Sequence, residues 1–597
     1  RLSRARKWLR RNRLAAGLGA AMVLAAAAGL LAAGWQHRQA VREAEANEQV
    51  SRLFASTLGS ATLSGLGSAR FSSRALLERS ERELRALAMA DQPALRAHAL
   101  ATLARSFGQL GDYRHAAALA DEAQRISIAG GDRDEDGFVA ATRLSTLNYR
   151  GRHQEALALA RARLDALAAA TDPAARDARI AIGLELALTQ WDLGRTGQAL
   201  DSADAMVREA QALGRGHAAR LAQALILRSG FLRQLGRAAA AEADAQRALA
   251  LAAPLDPVLA DDALERLVDA QRLRLSPAFA GTAQRLLDER RRNLGTDHPQ
   301  TAAAEVYVAL SRYPNVPRES ALATLRRLEA GYGREHPAYA LALSRLAWTL
   351  ARDPAEELRL QRQAVSILER TLPHSEMLFN ARSNYAKALL GRGNWVPTPA
   401  RLDEGIALLE RNIAERERAG LPPQSDRYSV AVNLVQYGSD SSLPQARRAL
   451  DAAARAAPRF YRPGDLEWLN QRIFDAMVRY REGRYAEADA AFAMLLDEIA
   501  RVPAAPTGLP LARRNDSEML ALLYRGVYAF RTCRRREAAQ FLAAAVRVGE
   551  TPGRPVSEPF LDEARAFQRS ARSGRLPPRP PLWFPSDPRA VAAATLV

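Results

Sequence analysis

The feature that most constrains this chain is a turn that keeps returning between two helix-like stretches. Its clearest copy is "LATLARSFGQLGDYRHAAALADEAQRI", residues 100–126. There a helical run meets a Leu-Gly-Asp-Tyr turn, and a second run follows with Ala116, Ala120 and Ala123 on one face. The turn recurs as "YRGRHQEAL" at 149–157, "DLGRTGQAL" at 192–200, "QLGRAAAAEA" at 234–243, "REGRYAEADAAF" at 481–492 and "RTCRRREAAQFL" at 531–542. Gly111, Gly151, Gly194 and Gly236 lie 40, 43 and 42 residues apart. A period of that size marks stacked helical pairs, because one pair cannot bury its apolar face alone. Glycine supplies the left-handed conformation that ends the first helix, and the alanines let the second pack tightly against it.

Composition points the same way. Ala, Leu and Arg dominate and lead the helix propensity scale, while aromatic residues make up 6% of the chain. A formal charge of +19 raises the question of nucleic acid. Lys7 and Lys387 are the only lysines, however, and the arginines are interleaved with Asp and Glu. Beyond the N-terminal cluster no basic stripe forms, so no nucleic-acid partner is expected in this portion. The single cysteine, Cys533, excludes an internal disulfide and a cysteine-based metal site.

The N-terminus follows a different logic. Residues 1–13 form a basic segment containing Arg1, Arg4, Arg6, Lys7, Arg10, Arg11 and Arg13, and residues 14–35 then carry no charge. At 1.5 Å per residue such a helix would span roughly 33 Å, about the hydrocarbon thickness of a bilayer. It shows no polar face and is longer than the apolar region of a signal peptide. We therefore expect one transmembrane helix in the lipid bilayer, with the basic end cytoplasmic and residues after Trp35 across the membrane. Gly17, Ala21, Ala25, Gly29 and Ala33 form a small-residue stripe that would let two copies pair as a homodimer. A segment in which 14 of 22 residues are Ala or Gly also yields such a stripe by chance.

The repeated unit resembles the tetratricopeptide repeat, through Phe107, Gly111, Tyr113, Ala116 and Ala123 in an early copy and Gly483, Tyr485, Ala488 and Phe492 in a late one. "LGTDHPQTAAAEVYVAL" from Leu294 and "GREHPAYALALSRLAWTLA" from Gly333 resemble the longer units of the kinesin light chain type. Asp297-His298-Pro299 and Glu335-His336-Pro337 open their helices. Proline suits that first position because its missing N–H would be unpaired there anyway. The resemblance implies an all-α fold: a tetratricopeptide-like α-solenoid of about eleven helical hairpins, preceded by one transmembrane helix. We place a helical linker at 36–93, the solenoid with a C-terminal capping helix at 94–571, and a Pro-rich tail at 572–597 that has no core of its own.

A wider resemblance covers the basic run Arg6–Arg13, Trp35-Gln36 and "FSSRALLERSERELRALAMADQPALRAHALATLARSFGQLGDY" at 71–113. Together they look like the region between kinase and repeats in bacterial transmembrane serine/threonine protein kinases. On that resemblance Arg1 would be where a longer chain was cut, and the residues present would be its non-catalytic C-terminal half. They would then sit in a bacterial inner membrane as a single-pass protein with periplasmic repeats, serving signal transduction. Two alternatives stay open: a free-standing envelope adaptor, and the outer domain of a membrane-anchored transcriptional regulator.

No catalytic set emerges from the residues. "GLGAAM" and "GLGSAR" lack the third glycine of a phosphate loop, and Asp136-Gly137-Phe138 is in the wrong order for a kinase metal site. The eight histidines show no ligand spacing, so no metal, cofactor or catalytic residue is assigned. Asp261 and Asp262 fit a solvated helix start. What stacked helices offer is a concave surface lined by first helices, for a protein or peptide ligand. Counting three residues back from each turn glycine gives Gly108, Asn148, Trp191 and Arg233, with Arg105 one turn earlier. Trp191 and Arg233 would suit a peptide or acidic segment. Trp191 equally fits packing between repeats.

Overall fold

The computed structural model describes residues 73–86 and 92–584, apart from breaks at 110–111, 131–135, 275, 313–314, 374, 392–395, 460–465, 502–508, 555 and 578. The transmembrane expectation for 14–35, its small-residue stripe and the turn glycine Gly111 lie outside the described residues. Among those described, no helix is long and apolar enough to cross a membrane. They hold 24 α-helices and no strand. The chain divides into two compact units, to Thr146 and from Leu147.

In the first unit, α2 (Pro93–Gln109) and α3 (Tyr113–Gly130) form a hairpin, and α4 begins at Asp136. Ala116, Ala120 and Ala123 are all fully buried, against Leu100, Leu103 and Phe107 of α2. Helix α1 (Ser73–Ala86) is tied to this hairpin by Glu81 Oε2–His115 Nε2 at 2.6 Å and Arg85–Glu122 at 3.0 Å.

The second unit takes over in the last turn of α4 (Asp136–Tyr149) and continues with α5 (His153–Leu167). Nine further hairpins follow. Their first helices are α6 (Pro173–Asp192), α8 (Ala218–Gln234), α10 (Pro257–Leu273), α12 (Pro299–Ser311), α14 (Pro337–Leu350), α16 (Glu376–Leu389), α18 (Gln424–Tyr437), α20 (Leu466–Arg481) and α22 (Leu509–Arg531). Their second helices are α7 (Thr196–Ala212), α9 (Ala238–Ala252), α11 (Phe279–Leu294), α13 (Arg318–Tyr332), α15 (Pro354–Thr371), α17 (Pro399–Arg418), α19 (Leu443–Ala456), α21 (Tyr485–Arg501) and α23 (Arg535–Glu550). A last helix, α24 (Glu558–Arg572), caps the stack. From α5 onward each helix packs on the next, and most first helices of the second unit also touch the first helix that follows, which puts them on a shared inner face.

The recurring turn has one hydrogen-bond pattern. Gly194 N–H donates to Trp191 O (2.9 Å) and Arg195 N–H to Gln190 O (2.8 Å), with Gly194 at φ 73°. This is the left-handed helix ending that satisfies the last free carbonyls. Cys533 does the same without being glycine: its φ is 62°, its N–H donates to Phe530 O (3.1 Å), and Arg534 N–H donates to Ala529 O (2.8 Å).

Where no such glycine is present, helix starts set the register. Asp172, Asp256 and Asp353 cap helices that begin with proline. His298 and His336 do so with an imidazole: each Nδ1 accepts a backbone N–H, from Gln300 at 3.2 Å and Ala338 at 3.1 Å. Burial, with Arg290 nearby, pushes the His298 pKa down, which keeps that nitrogen free to accept. The helix start expected at Asp261 and Asp262 lies instead at Asp256–Pro257. Asp261, a full turn inside α10, pairs with the buried Arg290 at 2.7 Å.

The left-handed conformation costs an L-residue about 1–2 kcal/mol, and glycine returns part of that through its freer unfolded chain. Cys533 is exposed, so little packing depends on its side chain. Cys533→Gly should therefore raise stability by about 0.5–1 kcal/mol. Chemical denaturation of the two chains checks this, and a lower midpoint for the variant would count against the turn assignment.

Candidate functional site on the inner face

All five residues singled out from the sequence sit on first helices, and Arg105, Asn148 and Trp191 reach the next first helix along. In the first unit, Arg105 Nε donates to Thr142 Oγ1 at 2.9 Å, and its guanidinium lies 4.7 Å from the Phe138 ring centroid. In the second unit, Thr189 Oγ1 donates to Asn148 Oδ1 at 3.0 Å. Trp191 stacks on Phe231 with ring centroids 4.3 Å apart, and its Nε1–H donates to Gln234 Oε1 at 3.1 Å. In the second unit these contacts link successive first helices, and Trp191 packs between repeats.

Arg233 behaves differently. It skips its neighbours and meets Glu376, four hairpins further on, with Nη1 at 2.8 Å and Nη2 at 2.5 Å from the two carboxylate oxygens. The acidic group that reaches it belongs to its own chain. A second contact accompanies this return: Thr196 Oγ1 donates to Gly420 O at 3.3 Å. Gly420 has a φ of 68°, and a Cβ there would stand 2.5 Å from Thr196 Oγ1, so both backbone and contact require glycine.

Around Arg233 and Glu376 the first helices contribute a charge cluster that counting from glycines did not reach. Asp269 of α10 lies 3.5 Å from Arg272 of the same helix and 4.0 Å from Arg345 of α14. Arg345 also lies 5.2 Å from the ring centroid of Tyr307, on α12. Tyr307 O–H donates to Glu265 of α10 at 3.4 Å. Burial would push Asp269 up, but Arg233, Arg272 and Arg345 together hold its carboxyl well below the usual range. Burial is likewise outweighed at Glu376, where Arg233 holds the carboxyl low.

Arg272 is the exception. Burial first, and Arg345 second, push its pKa down; its buried Nε, like that of Arg233, makes no hydrogen bond, and Asp269 Oδ1 lies 3.5 Å from it as an ion-pair partner. Arg233, Arg272 and Arg345 thus share Asp269 and Glu376, while Glu265 and Arg266 of α10 and Arg416 of α17 add further charges to the same cluster.

The signs of these shifts fix a pH dependence. Carboxylates held low in the fold contribute stability that is complete above their unfolded values, near pH 4, and is lost as pH falls through the lowered ones. Among the described residues no three histidine, cysteine or carboxylate side chains converge on a metal-sized site. The surface offers charge and stacking, the means of holding a ligand.

No protein-family model matches the chain, and no curated protein matches it at a significant level. Its fold is similar to a solved structure described as "Crystal structure of APC/C hetero-tetramer Cut9-Hcn1". That likeness covers 82% of this chain and 92% of the other, at 12% identity and a TM-score of 0.39.

Proposed function

We propose that this chain is a protein-interaction and sensor region, anchored in a membrane through residues 14–35, whose repeats take an acidic segment of a partner protein. The observation that carries the binding claim is Arg272. It is held beside Arg345, both close to one Asp269, whose Oδ1 lies 3.5 Å from the buried Arg272 Nε without a hydrogen bond. A carboxylate arriving from outside would give that guanidinium a hydrogen-bonded partner. Arginine in such a place costs stability and is expected where function asks for it.

The setting we favour is the C-terminal half of a bacterial serine/threonine protein kinase, with the repeats periplasmic. Support comes from the sequence: the basic run Arg6–Arg13, Trp35-Gln36 after the apolar segment, and the linker at 71–113. On this reading the residues here serve recognition and catalysis belongs to another part of the protein. The membrane adaptor and the outer domain of a transcriptional regulator are the competing settings.

Two measurements test the proposal. Arg272→Met replaces a buried cation whose Nε makes no hydrogen bond, so it should raise stability by about 1 kcal/mol. Citrate at ten times its dissociation constant should then stabilise the wild-type chain by about 1.4 kcal/mol and leave the variant unmoved. A less stable variant, or an equal citrate effect on both, contradicts the site. For the kinase setting, an antibody to the repeats should detect in native membranes a band well above 65.1 kDa that labels with ATP. A band of that mass without label favours the adaptor.

A further inference from the structure

The Pro-rich tail packs into the repeats. Arg579–Phe584 crosses the inner face of the last hairpins, and each contact it makes comes from a first helix, the turn after one, or the cap. Arg579 forms a bidentate pair with Glu563 of α24, at 2.5 and 2.9 Å. Leu582 N–H donates to the same carboxylate at 2.9 Å. Tyr524 O–H, on α22, donates to Pro581 O at 2.5 Å. Trp583 Nε1–H donates to Gly438 O at 2.9 Å, and Phe584 N–H donates to Gln436 O at 2.7 Å, both at the end of α18.

Beneath the indole lies Arg481, the last residue of α20. Its guanidinium is 4.6 Å from the Trp583 ring and donates to Val435 O at 2.7 Å and Asp440 Oδ1 at 2.6 Å. Leu582 and Trp583 are 1% and 2% exposed. Backbone and side chain are thus both recognised: two buried anchors, an arginine clamp, and four hydrogen bonds to main-chain groups or the indole. This is how a groove holds a peptide, with main-chain bonds giving affinity and pockets giving choice.

The occupant is held at a cost. Leu582 sits at φ 55°, a left-handed conformation that costs an L-residue about 1–2 kcal/mol. Strain of that kind persists only where the surroundings impose it. A ligand free of the short connection from Arg572 to Arg579 could reach the same pockets without that bend.

We propose that the inner face formed by α18, α20, α22 and α24 is a peptide-recognition groove that Arg579–Phe584 occupies in cis. Its ligand in trans is a proline-rich segment of a partner protein with an arginine, two prolines and a Leu-Trp pair in the same order. This deepens the scaffold reading, on which it rests for the general claim that the repeats bind proteins. It involves none of the residues around Arg272, so either site can fail without the other. A short tether gives the resident segment an effective concentration of about 1 mM. It would weaken a trans ligand of about 10 μM affinity by about a hundredfold.

The test uses the full chain and a fluorescent peptide of residues 576–588, read by anisotropy beside a control peptide in which its tryptophan is alanine. Trp583→Ala empties the main pocket, and Arg579→Glu repels the tail from Glu563 without touching the core. Both variants should keep the wild-type helix content by circular dichroism and bind the peptide at least tenfold more tightly than the wild type does. The control peptide should bind none of the chains. Equal binding to all three chains, or no binding to either folded variant, overturns the proposal. So does loss of helix content in both variants, which would make the tail a structural clasp.

Discussion

The second unit depends on one ion pair. Arg233 and Glu376 are 143 residues apart, yet their side chains meet in a bidentate contact. A stack of hairpins ordinarily holds together through nearest neighbours, each repeat touching only the next. Here the course of the first helices from α8 to α16 brings a distant pair together, and Thr196 with Gly420 closes the same return on the second-helix side. Burying two charges gains little net stability, because desolvation offsets attraction. What the pair fixes is pitch. Another winding of the helices would leave a guanidinium and a carboxylate unpaired in a confined space.

That constraint organises the inner face. With Arg233 committed to Glu376, Asp269 is left to serve both Arg272 and Arg345, and it serves Arg272 poorly. The loose pairing of Arg272 is therefore a product of the winding. At the far end the same kind of surface is already filled: α18, α20, α22 and α24 hold the chain's own Arg579–Phe584. The second unit thus shows its inner face in two conditions, one with a loosely paired arginine and one closed over a peptide.

The hairpins were legible because their turns repeat a physical requirement. A left-handed residue must end the first helix, and Gly151, Gly194, Gly236 and Gly483 announce it. About eleven pairs were expected from that spacing, and the described residues hold 24 α-helices. The inner-face residues were legible only where a turn glycine set the count. Asn148, Trp191 and Arg233 were found that way. Arg345 was not, because α14 ends on Ala351 in an extended conformation, and Glu376 was not, because it opens its helix. The partner of Arg233 could not be read from sequence at all, since it depends on how far four hairpins turn. The contacts of the tail were not legible for a related reason: a segment with no core of its own can still lend Leu582 and Trp583 to another.

Hydrogen exchange on the chain carrying Glu376→Gln tests the central claim most directly. Leaving Arg233 buried without its partner should cost about 3–5 kcal/mol. If the distant pair sets the winding, protection should fall in α8 and at the turn holding Thr196 as well as in α16. Loss confined to α16 and the helices packed beside it would contradict the account, and would make the second unit an ordinary stack of neighbours.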